Sequence, residues 1–87
     1  MSITVINETL GPIKVSVNKW TDGGETKSYV IPIEKTESWT RKDNNRGVIM
    51  YVEDCPNNNG PWYIKSDTTI RFHDNGEYTH KGTAIKI

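Results

Sequence analysis

The sequence predicts an all-β protein, a compact antiparallel β-sandwich of about seven to eight short strands, with a small barrel as the alternative closure. Three observations carry that expectation. No long window repeats its apolar positions at helical spacing, whereas short runs of alternating polarity fill the chain. Gly, Pro, Asn and Asp interrupt those runs at close intervals, where fixed or left-handed backbone angles and local side-chain hydrogen bonds favour turns. One run, Val48-Ile49-Met50-Tyr51-Val52, is apolar on both faces, as a central strand covered from two sides would be.

In chain order, Ile3, Val5 and Asn7 alternate with Thr4 and Ile6 in a first strand. Leu10-Gly11-Pro12 then turns the chain into a second, with Ile13, Val15 and Val17 on one face, and the two are expected to form a hairpin. Trp20 breaks that odd-numbered parity, which suggests a bulge near Asn18 or Lys19 that returns the indole to the core. After an Asp22-Gly23-Gly24 turn, Tyr29, Ile31 and Ile33 share a face. Pro32 has no N–H for a central ladder, so this third strand belongs at a sheet edge or ends at the proline.

A short strand from Thr36 to Thr40 carries Trp39, and a polar loop from Arg41 to Gly47 leads into the central Val48–Val52 strand. The longest loop is Asp54 to Pro61, after which Trp62 and Ile64 resume the alternation. The last hairpin has two possible registers. A two-residue Asn75-Gly76 turn mixes the faces, whereas a three-residue loop Asp74-Asn75-Gly76 with Gly76 left-handed sets Phe72 opposite Tyr78 and Ile70 opposite His80. The second is expected, with Ile85 and Ile87 closing the chain as a strand after an irregularity at Gly82. The three tryptophans, Tyr51 and Phe72 are the bulky core candidates.

Residues 1–87 are expected to form a single domain, because so short a chain buries only about 60–65% of its unfolded surface and has no material for a second core. With 33% hydrophobic residues the fold is marginal by size, and dimerisation is a plausible supplement. Eleven basic and eleven acidic side chains cancel, which argues against nucleic-acid binding. No apolar stretch is long enough for a transmembrane segment, and Met1-Ser2-Ile3-Thr4-Val5 lacks the features of a secretion signal. The single Cys55 forms no internal disulfide, so the expected location is cytoplasmic. Asn7-Glu8-Thr9 fits the N-glycosylation pattern, which carries no weight in that compartment.

The residues do not suggest chemistry, and the expectation is a protein that is not an enzyme, with no catalytic residues and no cofactors. There is no Gly-x-Ser-x-Gly elbow and no Gly-rich phosphate loop, and Cys55 with His73 or His80 is the only conceivable dyad. Zinc needs four Cys or His ligands where three such residues exist. Calcium ligands are offered by Asp43-Asn44-Asn45, by Glu53-Asp54 with Asn57 to Asn59, and by Asp22 with Glu25, but none has a recognised loop spacing. No metal is expected. The segment that most resembles a site is Asn57, Asn58 and Asn59 leading into Trp62 and Tyr63, where aromatic faces offer apolar contact and amides offer orientation.

The same segment carries a resemblance. Tyr51-Val52-Glu53-Asp54-Cys55-Pro56, an Asn-rich loop and then Trp62-Tyr63-Ile64-Lys65-Ser66 resemble the aegerolysins, as do Ile3-Thr4-Val5-Ile6-Asn7 and Thr40-Arg41-Lys42-Asp43 ahead of Gly47. Ser38 to Asp43 with Arg46 to Val52 is similar to a related group of small fungal and nematode β-sandwich proteins, akin to those up-regulated in long-lived nematodes. The resemblance implies a β-sandwich and, for the aegerolysins, recognition of sphingolipid-containing membranes, with Trp62 and Tyr63 as head-group contacts. The first expectation is therefore a non-enzymatic recognition module whose ligand-binding residues, Asn57, Asn58, Asn59, Trp62 and Tyr63, take a membrane lipid head group or a glycan. The alternative is a structural or interaction protein that dimerises through the Pro32 edge strand or an exposed aromatic patch.

Overall fold

A computed structural model describes residues 2–20, 24, 26–42 and 46–87, and among these the chain is all-β, with nine strands and no helix. They are β1 (Ser2–Glu8), β2 (Ile13–Val17), β3 (Tyr29–Ile31), β4 (Thr36–Thr40), β5 (Val48–Glu53), β6 (Gly60–Ile64), β7 (Thr68–His73), β8 (Tyr78–Lys81) and β9 (Ala84–Lys86). They make a four-stranded sheet ordered β4-β1-β7-β8 and a five-stranded sheet ordered β3-β2-β5-β6-β9. The two sheets stay separate, so the chain is a sandwich rather than a barrel. The expected turn at Asp22-Gly23 and the Asp43–Asn45 part of the polar loop lie outside the described residues.

Alternation builds the core. Each long strand turns every second side chain inward, as in the buried Ile3 and Val5 of β1, Val48, Met50 and Val52 of β5, and Ile70 and Phe72 of β7. Trp62 and Phe72, the largest fully buried side chains, come from opposite sheets and meet edge to face at 5.7 Å between ring centroids. As expected, β5 is the middle strand of its sheet, and β3 lies at an edge and ends just before Pro32. The last hairpin has the bulged register, Phe72 opposite Tyr78 and Ile70 opposite His80, with Gly76 left-handed at φ 81°.

Three expectations are corrected. β1 and β2 do not form a hairpin. β1 lies between β4 and β7, whereas β2 belongs to the other sheet, so Leu10-Gly11-Pro12 is a corner between sheets. The pairing is not wholly antiparallel either, because β1 runs parallel to β7, from Ile3 opposite Thr68 to Glu8 opposite His73. Trp20 and Tyr51, expected inside, are 46% and 47% exposed. Tyr51 sits between inward Met50 and Val52, so the pleat turns it outward. β2 ends at Val17, so strand parity no longer governs Trp20, whose indole N–H donates to the Gly47 carbonyl instead.

The corner after β1 is held by Asn7, which is fully buried. Its Nδ2 donates to the carbonyls of Gly11 at 3.0 Å and Ile31 at 2.8 Å, while Oδ1 accepts from the Thr9 N–H at 2.9 Å and the Thr9 hydroxyl at 2.7 Å. One amide thus joins the end of β1, the corner and the end of β3 in the opposite sheet. The same burial puts the Asn7-Glu8-Thr9 amide nitrogen out of reach of glycosylation. Asn7→Ala leaves several buried groups without partners, so it is expected to destabilise by about 2–4 kcal/mol. A fall in the urea midpoint at unchanged slope measures this.

Candidate functional site

The Asn57 to Tyr63 segment is not a single surface. Trp62 pairs with Met50 on the inner face of β6 and is fully buried, because the residues that alternate with it point outward. Its ring meets Phe72 and, at 4.8 Å, Tyr78, and its indole N–H donates to the Asn58 carbonyl at 3.0 Å. A head group or glycan therefore has no access to the Trp62 ring, and the assignment of Trp62 as a surface contact is corrected.

The amides next to it act within the fold. Asn58 is buried, and its Nδ2 donates to the carbonyls of Pro56 and Gly76, both at 3.2 Å, which ties the loop to the β7–β8 hairpin. The Asn59 side-chain oxygen accepts the Cys55 N–H at 2.8 Å, and the Asn57 carbonyl accepts Lys86 Nζ at 2.7 Å. Asn57 takes a left-handed φ of 64°, a conformation that asparagine tolerates better than most residues. Asn57 and Asn59 are exposed at the loop, while Tyr63 points from the opposite face of β6, so the five residues are not brought together.

Cys55 is buried beside this loop. Desolvation pushes its thiol from the ordinary value near 9 up to about 11, against smaller downward pulls from an Asn58 hydrogen bond and Lys86. A thiol held protonated at neutral pH is a poor nucleophile. The histidines are engaged elsewhere: His73 Nδ1 lies 3.3 Å from Glu8 and its Nε2 3.2 Å from the Thr79 hydroxyl, while His80 Nδ1 lies 3.1 Å from the Gly82 carbonyl. Among the described residues no group of three or more His, Cys, Asp and Glu side chains could hold a metal ion.

The surface that stands out is the outer face of the five-stranded sheet. The strand registers set Tyr51 beside Pro61 and Ile49 beside Tyr63, which in turn lies beside Ile85. The Ile87 N–H donates to the Pro61 carbonyl at 3.0 Å, which continues the ladder and brings Ile87 into the row of Tyr51 and Pro61. Tyr51, Ile85 and Ile87 are 47%, 55% and 68% exposed. Trp20 extends the patch: its indole bonds Gly47, the Tyr63 hydroxyl donates to the Arg46 carbonyl at 2.9 Å, and the Arg46 guanidinium lies 5.2 Å over the Trp20 ring. Gly47 makes this possible, since a Cβ there would stand 2.7 Å from the Tyr63 oxygen.

The outer face of the other sheet is its chemical opposite. It presents Thr4, bonded to Ser38 at 3.2 Å, together with Thr69, Thr79 and Lys81, an ion pair of Arg71 with Glu8 at 3.7 Å, and a half-buried Ile6 between Thr36 and Arg71. Such a face is content in water. The apolar face was within reach of sequence reasoning, because fixing Val48, Met50 and Val52 as the inner side of β5 leaves Ile49 and Tyr51 outside. The chain matches no protein-family profile, no curated protein and no solved structure.

Two outcomes follow from the loop. Asn58→Ala is expected to cost about 1–3 kcal/mol by leaving buried groups without partners, while the exposed Asn59 side chain costs less, about 1 kcal/mol, on removal; chemical denaturation ranks them. The Cys55 thiol ionises near 9 in the unfolded chain and about 11 in the folded one. Its contribution is therefore whole below pH 9 and lost as the pH rises towards 11. It is worth at most about 3 kcal/mol, read as the difference between the stability–pH curves of wild type and Cys55→Ala.

Proposed function

We propose that the protein is a non-catalytic interaction module that pairs with a second copy of itself through the outer face of the five-stranded sheet. The observation that carries this is the contiguous exposure of Tyr51, Ile85 and Ile87 beside Ile49, Pro61 and Tyr63 on one face, while the opposite outer face is hydroxylated and charged. The central strand β5 has the composition of a strand covered on both sides, yet the described residues cover only its inner side.

Three further features favour a second copy over a different partner. A formal net charge of zero leaves no long-range repulsion between copies near neutral pH. Lys14 and Glu53 stand opposite one another in the β2–β5 ladder, on the same outer face, so a two-fold arrangement can set each against its opposite in the other copy. A small, marginal core gains from covering further apolar surface. With roughly half of each aromatic ring and isoleucine available, the patch offers on the order of 400–500 Å² per copy. That is the small end of specific interfaces and corresponds to a weak dimer, with a dissociation constant of about 10–100 µM.

The lipid head-group or glycan reading through the Asn-rich loop has lost Trp62 to the core and retains only Asn57, Asn59 and Tyr63 at the surface. Sedimentation equilibrium from about 1 to 300 µM, bracketing that constant, is the direct test. Wild type is expected to shift from monomer to dimer, and the double variant Tyr51→Lys/Ile85→Lys to stay monomeric with its unfolding midpoint nearly unchanged. A wild-type protein that is monomeric throughout overturns the proposal. Vesicle co-sedimentation is the contrasting arm, since binding of a monomer that the same double variant abolishes would assign this face to a membrane surface instead.

A further inference from the structure

The chain contains a single leucine, Leu10, and it is the most exposed large apolar side chain among the described residues, at 81%. Leucine is ordinarily a core residue. The corner after β1 explains why this one projects. Thr9 is drawn in through its N–H and hydroxyl to Asn7 Oδ1, and Gly11 through its carbonyl, which accepts from both Asn7 Nδ2 and the Thr9 hydroxyl. The side chain between them is left in solvent. Ile33, 46% exposed, sits close by in the turn between β3 and β4, which the Glu34 N–H fastens to the Asn7 carbonyl at 2.7 Å.

A groove of about 380 Å³ opens between these two turns, lined chiefly by the apolar Ile6, Leu10 and Ile33 and by the carboxylates of Glu8, Glu34 and Asp74. All of these residues and their chain neighbours belong to the described part of the molecule. The apolar side chains come from β1, the corner and the β3–β4 turn, and the carboxylates from the end of β1, the β3–β4 turn and the β7–β8 turn. Two basic side chains approach, and both go to Glu8: Arg71 at 3.7 Å and His73 at 3.3 Å. No basic side chain lines the groove, and neither Glu34 nor Asp74 has a cation within ion-pair reach among the described residues. An apolar floor thus carries a surplus of negative charge along its rim.

We infer that this groove docks a short cationic peptide segment of a partner protein, with one apolar side chain seated against Leu10 and Ile33 and flanking lysines or arginines against Glu34 and Asp74. The exposed leucine and isoleucine supply the surface that gains from being covered. The rim decides the partner, because an anionic ligand is repelled there and a neutral one leaves the carboxylates unanswered, whereas a basic segment is steered in and held in register. Both walls are fixed in advance by Asn7, whose Nδ2 donates to Gly11 on one side and to Ile31 and Pro32 on the other. Docking therefore demands little ordering of the protein itself. None of the groove residues belongs to the outer face of the five-stranded sheet, so failure of this inference would leave the self-association untouched.

The probe is a capped pentapeptide with one leucine between two pairs of lysines, read through the methyl signals of isotope-labelled leucine, which in this chain report Leu10 alone. Those signals are expected to move saturably, with half-saturation at or below about 1 mM at low salt, and at least about threefold more peptide should be needed in about 0.5 M sodium chloride. Serine in place of the peptide's leucine should weaken binding at least about tenfold, and glutamate in place of its lysines should abolish it. Glu34 has a left-handed φ of 64°, which glycine adopts readily, so Glu34→Gly should keep its urea midpoint and bind at least about threefold more weakly; Asp74→Asn should weaken binding likewise. The Tyr51→Lys/Ile85→Lys variant should bind as wild type does. Leu10 signals unmoved by the lysine peptide at about 10 mM, well above that constant, overturn the inference. So do equal binding of the leucine and serine peptides, binding of the glutamate peptide, unchanged affinity in both Glu34→Gly and Asp74→Asn, or loss of binding in the Tyr51→Lys/Ile85→Lys variant.

Discussion

The placement of Trp62 is the constraint on which most of the molecule depends. Its indole, carried by β6 of one sheet, touches Phe72 and Tyr78 of the other. The distance between the sheets is therefore set largely by one aromatic cluster. The indole N–H reaches the Asn58 carbonyl, and Asn58 in turn holds the β7–β8 hairpin through Gly76. Core packing and loop conformation are thus one structure. An Asn-rich loop that reads as a ligand cradle is the clamp over the core aromatics. Of its three asparagines, Asn58 is turned inward, while Asn57 and Asn59 stay exposed.

The two outer faces differ in how they meet water. A threonine-rich outer face with ion-paired charges keeps its water, and nothing is gained by covering it. The face of β5, β6 and β9 is the reverse, with tyrosine and isoleucine side chains aligned in neighbouring ladder rows. Burial of such surface is the dominant favourable term in association.

Several elements were legible because the signal was local. The apolar run predicts the central Val48–Val52 strand, the missing N–H of Pro32 predicts a sheet edge or an end at the proline, and face matching selects the bulged register around Gly76. What could not be read depended on distant partners. The corner at Leu10-Gly11-Pro12 looks like a hairpin turn in sequence, since the Asn7 amide that makes it a crossover acts on Gly11 and on Ile31, in another sheet. Trp62 reads from sequence both as a core residue and as a ligand contact, because composition makes an aromatic attractive for either role and only its pairing with Met50 separates them. Tyr51 and Trp20 differ the other way, their size suggesting the core while both stand about half exposed. The outer patch itself joins residues from β5, β6 and the chain beyond β9, which no local pattern connects.

The parallel pairing of β1 with β7 also governs the order in which the molecule can be made. During synthesis β1 is produced well before one of its two ladder neighbours, β7, with β2 to β6 made in between. Until then Ile3 and Val5 have half a sheet to join, and one edge of β1 offers unpaired N–H and carbonyl groups to any strand nearby. Folding must wait for contacts between the two ends of the chain, the slow kind of closure for a β protein. Loss of the C-terminal strands would be felt first at the N-terminal one, which would be left as an edge strand in a sheet reduced to two.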